Sequence, residues 1–291
     1  MLDPSRPLVT IITPAHNQAA FIQDTIDSVL GQDYPRLEYI VLDDGSTDET
    51  ASVVAPQGTR LRFESHKNMG EAKTVNRGLE MASGEIIAVV NADDPLLPGA
   101  VSTAVQFLDE HPDVLVAYPD WVRIDSQTRS LGTVEVPKYD YAYMVANHAC
   151  VVGPGAFFRR RAIDLIKGRD PQFRFVSDFD FWLRLGLHGP FARIPKTLAM
   201  SREHKGSTTT GARGIRMATE HIRLIKKLFS ATNLPADVRR LRRRAMSRAH
   251  FVAAICCGNH HLARFKHVLL FALWYPPNFF DHWRKTRRRR R

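Results

Sequence analysis

The sequence predicts an α/β fold in which a mostly parallel sheet carries helices on both faces, followed by a basic helical extension. Short apolar runs typical of strands alternate with segments whose apolar residues recur every three or four positions, as in amphipathic helices. Charge also divides the chain, because residues 1–212 contain 21 Lys and Arg against 27 Asp and Glu, whereas residues 213–291 contain 20 against 3. We therefore expect an α/β domain over residues 1–212 and a basic helical extension over residues 213–291.

The repeated strand and helix units lie between residues 8 and 125. LVTIIT predicts a first strand, and YIVL predicts a second one, whose following helix starts near Thr47 or Asp48, two good N-cap residue types. The expected strands are 8–13, 39–42, 61–63, 85–91 and 114–125, and the other expected helices are 21–32, 71–84 and 98–112.

Beyond residue 125 the pattern becomes less regular. GPGAFFRRRAI indicates a glycine turn that leads into an amphipathic stretch, and VSDFDFWLRLGLHG indicates a helix with acidic residues in its first turn. From about Gly214 onward, helical patterns alternate with clusters of arginine.

Cysteine usage and hydropathy point to a reducing compartment. Cys150, Cys256 and Cys257 are an odd number without CxxC spacing, which favours neither a disulfide framework nor a zinc site. The start shows no charged segment followed by an apolar one, and the apolar run VLLFALWY is too short to span a bilayer. We expect a cytoplasmic protein without a signal peptide or transmembrane helix.

Four polar clusters fall at or near the ends of predicted strands: Pro14–Asn17, Asp43–Asp48, Lys67–Gly70 and Asn91–Asp94. In parallel sheets, ligands gather at the carboxyl ends of the strands. The sequence therefore predicts one pocket where these four clusters meet.

The cluster NADD places Asp93 and Asp94 side by side after a strand. Paired carboxylates suit Mg²⁺ or Mn²⁺, which commonly bind through one or two carboxylates together with the phosphates of a substrate. A structural alternative is that these aspartates cap a helix N-terminus before Pro95.

Two further clusters have similar double interpretations. Asp43 and Asp44 could accept hydrogen bonds from a nucleobase or a ribose, or they could only form a strand, turn and helix junction. His16 could stack on a base, with Asn17 beside it, or it could be structural. Both alternatives stay open at this point.

The remaining polar motifs are SDFD and SREHKGSTTTG. Asp178 and Asp180 would point about 200° apart on a helix. One of them could therefore face the pocket as a general base while the other caps the helix or forms a salt bridge. Arg202, His204 and Lys205 could join a metal site or hold phosphate, or they could lie on a solvated loop.

Taken in order, the motifs PAHN, DDGSTD, KNMGEAKTVNRGLEMASGEIIAVVNADDPLLPGA, GPGAFFRR, SDFDFWLRL and REHKGSTT resemble the family 2 inverting glycosyltransferases of the GT-A fold. The resemblance covers roughly residues 7–211. It implies a Rossmann-like domain that uses a nucleotide-diphosphate sugar and a divalent metal, Mn²⁺ or Mg²⁺.

By position, the resemblance assigns roles to individual residues. Asp178 matches the catalytic base, and the metal-binding positions match Asp93, Asp94 and His204. The donor nucleotide, its ribose and its phosphates match Pro14, His16, Asn17, Asp43, Asp44, Gly70, Lys73 and Asp93.

Two positions depart from the family pattern. Asn91 replaces an aspartate that is frequent at the start of the acidic motif, so Asp93 and Asp94 must supply the charge. Ser177 stands where many relatives carry glutamate before the base, which affects contacts to the acceptor but leaves Asp178 in place.

The function implied by the resemblance is inverting sugar transfer from a nucleotide-diphosphate sugar, expected to be UDP-linked, to a hydroxyl of a glycan or lipid-linked acceptor in cell-surface polysaccharide synthesis. One alternative is a sugar-nucleotide nucleotidyltransferase, which would carry a glycine-rich triphosphate loop that PAHNQAAF lacks. The other is a non-catalytic nucleotide-sugar-binding module, which the three aspartates Asp93, Asp94 and Asp178 disfavour.

The basic end combines arginine clusters with aromatic and aliphatic residues. This composition suits a helix that lies on an anionic membrane, which predicts peripheral attachment to the inner face of the cell membrane. A helical appendage with a solvated tail is the structural alternative, and a nucleic-acid partner is disfavoured because no recognition motif accompanies the charge.

Overall fold

The computed structural model describes residues 6–204, 206–207 and 214–288, with side chains as far as residue 282. The chain divides into two units. The first unit comprises Met1–Tyr139, Val151–Ser177 and His188–His204. The second comprises Asp140–Cys150, Asp178–Leu187 and Lys205–Arg291, so it includes two short segments that precede the basic extension.

The strands of the described residues in the first unit form one mixed sheet in the order β3-β2-β1-β4-β7-β5-β6, and β8 pairs with β5. Their bounds are β1 Val9–Ala15, β2 Leu37–Asp44, β3 Arg62–His66, β4 Ile86–Val89, β5 Val116–Ile124, β6 Ser130–Val134, β7 Phe157–Arg159 and β8 Phe191–Arg202. The pairs β1–β2, β1–β4, β2–β3 and β5–β8 are parallel, whereas β4–β7, β5–β7 and β5–β6 are antiparallel. The predicted α/β class with a mostly parallel sheet is confirmed.

Strand β7 was not expected, since the sequence around it indicates a glycine turn. It is only three residues long and joins β4 to β5 with antiparallel pairing. Phe157 and Phe158 are both almost fully buried. A strand of this length is too short to show an alternating pattern.

The helices of the first unit bury the apolar face that their sequences present. They are α1 Ile22–Leu30, α2 Thr50–Val54, α3 Glu71–Met81, α4 Ala100–Glu110 and α6 Arg161–Ile166. In α1 the buried residues Ile22, Ile26 and Val29 recur at helical spacing. Gly78 lets α3 approach the sheet closely, because a Cβ there would lie 2.4 Å from Ile12 Cγ2.

The sheet topology brings the four polar clusters to one edge. Strands β1, β2, β3 and β4 are neighbours and run in the same direction, so their carboxyl ends lie together. Strand β8 runs parallel to β5 and ends at Arg202, two residues before His204.

The second unit is helical, and the expected helical extension is present. Its helices are α5 Tyr141–Asn147, α7 Ser177–Leu185, α8 Ile215–Ser230, α9 Ala236–Arg240, α10 Arg242–Cys256, α11 His261–Trp274 and α12 Pro276–Arg288. Small buried side chains, such as Ala218, Ala253 and Cys257, form a core cluster of this unit. Of the helices that the structure describes, none is both long and apolar enough to cross a membrane.

Two histidine pairs are packed inside the second unit. His148 Nε2 lies 2.9 Å from His221 Nδ1, and His250 Nδ1 lies 2.8 Å from His267 Nδ1. Burial lowers the pKa of His221 to about 4, and burial together with His221 and Arg248 holds the pKa of His148 well below 6.5. These imidazoles are therefore neutral in the folded protein at pH 7.

We predict that acid destabilises the second unit. The folded-state pKa of His221 is depressed, so its contribution is intact above pH 6.5, falls as the unfolded chain takes up a proton, and is lost near pH 4. The loss should reach about 3 kcal/mol for this residue. Urea unfolding followed by tryptophan fluorescence between pH 7.5 and pH 4.5 measures it.

The matched variants are His221→Asn, which removes the buried imidazole, and His261→Asn, which removes an exposed one. His221→Asn should show a shallower decline of stability with falling pH, whereas His261→Asn should follow the parent protein. Identical slopes for all three proteins would contradict the assignment.

Candidate functional site

Asp44 connects the cluster Asp43–Asp48 to the cluster Lys67–Gly70 through hydrogen bonds. Its carboxylate is buried and accepts hydrogen bonds from two backbone N–H groups, that of Met69 at 2.7 Å and that of Gly70 at 3.0 Å. Gly70 has a φ of 90°, a conformation that suits glycine, and it immediately precedes α3. Asp44 therefore fixes the start of α3 at the edge of the sheet.

Asp43 supports its own turn. Its buried carboxylate accepts hydrogen bonds from the Ser46 N–H at 3.1 Å and the Ser65 hydroxyl at 2.8 Å. The turn also requires Gly45, because a Cβ there would lie 2.6 Å from the Asn68 nitrogen. Both predicted base-reading carboxylates thus have a structural role, and each oxygen keeps a further lone pair for a ligand.

The cluster Pro14–Asn17 is hydrogen-bonded to the cluster Asp43–Asp48. Asn17 has a φ of 55°, and its side-chain oxygen accepts a hydrogen bond from the Thr47 N–H at 2.8 Å. His16 Nδ1 lies 3.0 Å from the Asp44 carbonyl oxygen, and the His16 side chain is exposed. Pro14 is a buried residue of β1. The His16 ring and the Asn17 side chain are therefore the parts of this cluster that a ligand can reach.

Lys73 lies one turn into α3 and is exposed. Together with Met69 and Asn76 it lines a shallow cavity of about 310 Å³ beside this helix. Its ammonium group is accessible to an anion at the edge where α3 begins.

Asp94 is the buried end of the acidic turn, which we define as Asn91–Asp94. Its Oδ1 accepts a hydrogen bond from the Arg202 N–H at 2.8 Å, and its Oδ2 accepts one from the Asn91 amide at 3.0 Å. Burial, and then the charge of Asp93, raise the pKa of Asp94 to about 7. Asn91, the departure from the family pattern, therefore donates to this carboxylate instead of adding a third charge.

Asp93 faces His204 across the turn. Its Oδ2 lies 2.9 Å from His204 Nε2, and the His204 ring packs 4.6 Å from the ring of Phe21. Among the described residues, no group of three or more His, Cys, Asp or Glu side chains is placed to hold a metal. The structure thus brings Asp93 and His204 together as a two-residue donor set, with Asp94 turned into the protein.

The sequence leaves Arg202 either holding phosphate or lying on a solvated loop, but its side chain points inward and is 1% exposed. It donates to the Asp93 carbonyl oxygen at 3.1 Å and to the Thr128 hydroxyl at 2.8 Å, and it pairs with Asp24 at 2.9 Å. Its carbon Cζ lies 4.9 Å from the centre of the Phe21 ring. Arg202 is a structural cation beneath the acidic turn, and Lys205 lies outside the described residues.

Asp178 and Asp180 differ in their surroundings within the second unit. Asp178 is exposed, and its Oδ1 accepts a hydrogen bond from the Phe179 N–H at 2.7 Å. Asp180 is 2% exposed and pairs with Arg184 at 2.7 Å and Lys227 at 2.6 Å. The divergence expected from helical geometry is therefore observed, with Asp180 bound internally and Asp178 accessible.

Two residues around the Arg202 guanidinium are not indicated by any sequence motif. Asp24 lies in the first turn of α1, and Thr128 lies in the loop between β5 and β6, and both contact Arg202. An acidic residue in a first helical turn is common, so neither position carries a signal that separates it from an ordinary surface residue.

The fold has known counterparts among solved structures. S. aureus TarS 1–349 in complex with UDP-GlcNAc superimposes with a TM-score of 0.70 at 17% identity, covering 92% of this chain and 81% of that one. The mannosyltransferase PcManGT from Pyrobaculum calidifontis, in complex with GDP-Man and Mn²⁺, gives a TM-score of 0.62 at 21% identity, covering 94% and 77%. The α/β sheet of the first unit and its helices thus have a GT-A-like fold.

The family follows from the sequence match. The model of glycosyl transferase family 2 matches residues 10–166, and the chain belongs to this family. An uncharacterized glycosyltransferase of Rickettsia prowazekii is 27% identical over 214 residues, which is 71% of this chain and 67% of the relative. The chondroitin synthase of Escherichia coli is 28% identical over 208 residues, which is 70% of this chain and 30% of the relative.

We predict that Arg202→Met destabilises the first unit by about 3 kcal/mol, because it removes the hydrogen bonds that a buried guanidinium makes to Asp24, Thr128 and backbone carbonyl oxygens. Urea unfolding at pH 7.5 measures the effect. The control is Arg123→Met, which breaks the pair with Glu203, where both side chains are more than a third exposed. This exposed pair should contribute less than about 1 kcal/mol, so equal losses for the two variants would be inconsistent with a buried structural role for Arg202.

Proposed function

We propose that this protein is an inverting, metal-dependent glycosyltransferase, with residues 1–212 as its catalytic domain. It moves a sugar from a UDP-linked donor to a hydroxyl of a glycan or lipid-linked acceptor in cell-surface polysaccharide synthesis. The observation that carries the proposal is the pairing of Asp93 with His204 at the carboxyl edge of the sheet. Beneath this pair, the buried carboxylate of Asp94 accepts a hydrogen bond from the Arg202 N–H. The chain that carries the pair belongs to glycosyl transferase family 2.

The relatives support sugar transfer and leave the sugar open. Chondroitin synthase and a PGL/p-HBAD biosynthesis glycosyltransferase are among the similar proteins, and TarS has been solved with UDP-GlcNAc and with UDP. We choose a UDP-linked donor on the strength of the TarS complexes, although PcManGT holds GDP-Man.

The donor nucleotide lies, in this proposal, over the loops that follow β1, β2 and β3. The exposed ring of His16 stacks on the base, and the free lone pairs of Asp43 and Asp44 accept its polar hydrogens or those of the ribose. The ammonium of Lys73, near the start of α3 after Gly70, contacts a phosphate. Pro14 lies in β1 just before the first loop, and Asn17 holds that loop against Thr47.

Asp93 and His204 are the two side chains that would hold Mn²⁺ or Mg²⁺. A carboxylate oxygen and an imidazole nitrogen 2.9 Å apart already face each other, and such ions often take only one or two protein ligands besides phosphate and water. A bound divalent ion supplies positive charge that stabilises the leaving diphosphate. We assign Asp94, the third residue of the expected metal set, to holding the turn, because both of its oxygens accept internal hydrogen bonds.

The proposed base is Asp178. Its exposed carboxylate would take the proton of the acceptor hydroxyl as that oxygen attacks the anomeric carbon and the diphosphate departs from the opposite face. A single displacement of this kind inverts the carbon, by the same geometric reasoning that applies to inverting glycosidases. Asp180 is unsuited to this task because its two ion pairs occupy it.

We also propose that the protein is cytoplasmic and binds peripherally to the inner face of the cell membrane. The support is electrostatic, because residues 213–291 contain 20 basic against 3 acidic residues and an anionic leaflet attracts such segments. Salt should weaken this attraction by screening.

We predict that Asp93→Asn reduces the Mn²⁺-dependent affinity for UDP by about tenfold or more, since it removes a charged metal ligand. Titration calorimetry with UDP, in the presence of Mn²⁺ and then of EDTA, measures the effect. The control is Asp33→Asn, an exposed aspartate that contacts the Ser102 hydroxyl and lies outside the acidic turn. If Asp93→Asn binds UDP as tightly as the parent protein with Mn²⁺ present, the metal assignment is wrong.

We predict that Asp178→Asn lowers the rate of sugar transfer by about a hundredfold or more while donor affinity is retained, because only the base is lost. Asp180→Asn should instead lower the free energy of unfolding by about 2 kcal/mol, because it weakens two pairs to a buried carboxylate. Transfer assays with an identified acceptor, together with urea unfolding of each variant, separate the two effects. Near-normal transfer by Asp178→Asn would exclude this residue as the base. Loss of transfer in Asp178→Asn with unchanged donor binding would argue against a protein that only binds the nucleotide sugar.

A further inference from the structure

Helix α11 carries an exposed apolar stripe, which we define as Leu262, Phe265, Leu269 and Leu273. Their exposed fractions are 89%, 69%, 49% and 61%. Steps of three and four residues place them on one side of the helix, along about 16 Å of its length. Scattered surface leucines are ordinary, whereas a continuous apolar row of this kind marks an interaction surface.

The opposite side of α11 is already packed against α10. Phe271 is 3% exposed, and its carbonyl oxygen accepts a hydrogen bond from the Ser247 hydroxyl at 2.7 Å. His267 contacts His250 on the same side. The stripe is therefore apolar surface in excess of what the fold of the second unit needs.

The segment that carries the stripe is strongly basic, and Lys266 lies beside the stripe on α11. Arg264 and Lys266 are exposed on α11, and Arg243 of α10 donates to the Trp274 carbonyl oxygen at the end of the helix. The sequence contains no acidic residue between Asp237 and Asp281. An apolar row on a helix of a strongly basic segment fits an anionic lipid surface, where headgroups pair with the cations and acyl chains receive the apolar side chains.

We propose that α11 lies in the plane of an anionic membrane with the stripe inserted below the headgroups. This rests on the peripheral membrane binding proposed above and names the surface that performs it. A second copy of the chain is a poorer occupant, because two stripes in contact would bring the Lys266 side chains of both copies and two strongly basic segments together. The helix lies along the membrane and does not cross it, because the described helices include none suited to spanning.

Co-sedimentation with vesicles of phosphatidylglycerol and phosphatidylcholine, compared with phosphatidylcholine alone, tests the proposal. The test variant is Leu262→Gln/Phe265→Gln/Leu269→Gln, in which every changed side chain is largely exposed and folding should be kept. The matched control is Leu131→Gln/Leu165→Gln, two exposed leucines of the first unit. Circular dichroism melting confirms that each protein is folded.

We expect the stripe variant to lose about tenfold or more in partitioning to the anionic vesicles, and the control to bind as the parent protein does. At about 0.5 M NaCl, where charges are screened, the parent should keep residual binding that the stripe variant lacks. In Phe265→Trp, the tryptophan fluorescence added to that of the parent should be quenched by lipids brominated on their acyl chains.

The contrary outcomes are distinguishable. Equal binding of the parent and the stripe variant, with no quenching in Phe265→Trp, would overturn insertion and leave electrostatic adsorption standing. No binding of the parent to any vesicle would overturn both insertion and peripheral attachment. A parent protein that is dimeric, with a stripe variant that is monomeric and binds vesicles unchanged, would assign the stripe to self-association.

Discussion

The buried guanidinium of Arg202 holds together the part of the first unit that carries the acidic turn. It joins four segments that are distant in sequence: the turn itself, α1, the loop between β5 and β6, and the end of β8. The backbone N–H of the same residue bonds to Asp94, so one residue orients both aspartates. Adjacent carboxylates repel each other, and this internal cation together with the raised pKa of Asp94 makes their arrangement tolerable.

The other loops at the carboxyl edge of the sheet are likewise held in place by contacts within the protein. Asp43 and Asp44 each use their oxygens to fix the backbone of neighbouring loops, and Asn17 does the same for the first loop. Loops that are held by charge-assisted hydrogen bonds lose less conformational freedom when a ligand binds. The structural and functional interpretations of these residues therefore do not exclude each other.

The sequence predicts well those features that repeat along the chain. Strands β1, β2 and β4 and helices α1, α3 and α4 were expected close to their observed bounds, because each buries a long and regular apolar face. Strand β7 has three residues, and β8 contains Pro195 and pairs with β5 through register shifts, so neither shows a clean alternation. Whether Asp178 acts as the base stays a prediction.

At the acidic turn, the residues of short motifs can be predicted from the sequence, whereas contacts between distant segments cannot. Asp93, Asp94 and His204 could be named from short motifs, but the inward direction of Arg202 could not. Its partner Asp24 lies 178 residues away in sequence, and only the folded sheet brings them together. The wrong expectation for Arg202 arose because an arginine in a polar segment is usually solvated, and burial is not visible in the motif.

The net negative charge of residues 1–212 is a second argument for a divalent metal in the proposed reaction. Residues 1–212 contain 27 acidic against 21 basic residues, and the donor of the proposed reaction carries a diphosphate, so the surrounding field opposes its binding. The guanidinium of Arg202, beneath the acidic turn, is directed into the protein and already bonded to Asp24 and to backbone oxygens. A diphosphate approaching Asp93 would therefore meet the negative charge of its carboxylate, whose partner among the described side chains is His204. In the proposed transfer, Asp93 and His204 would hold a divalent ion whose positive charge offsets this repulsion.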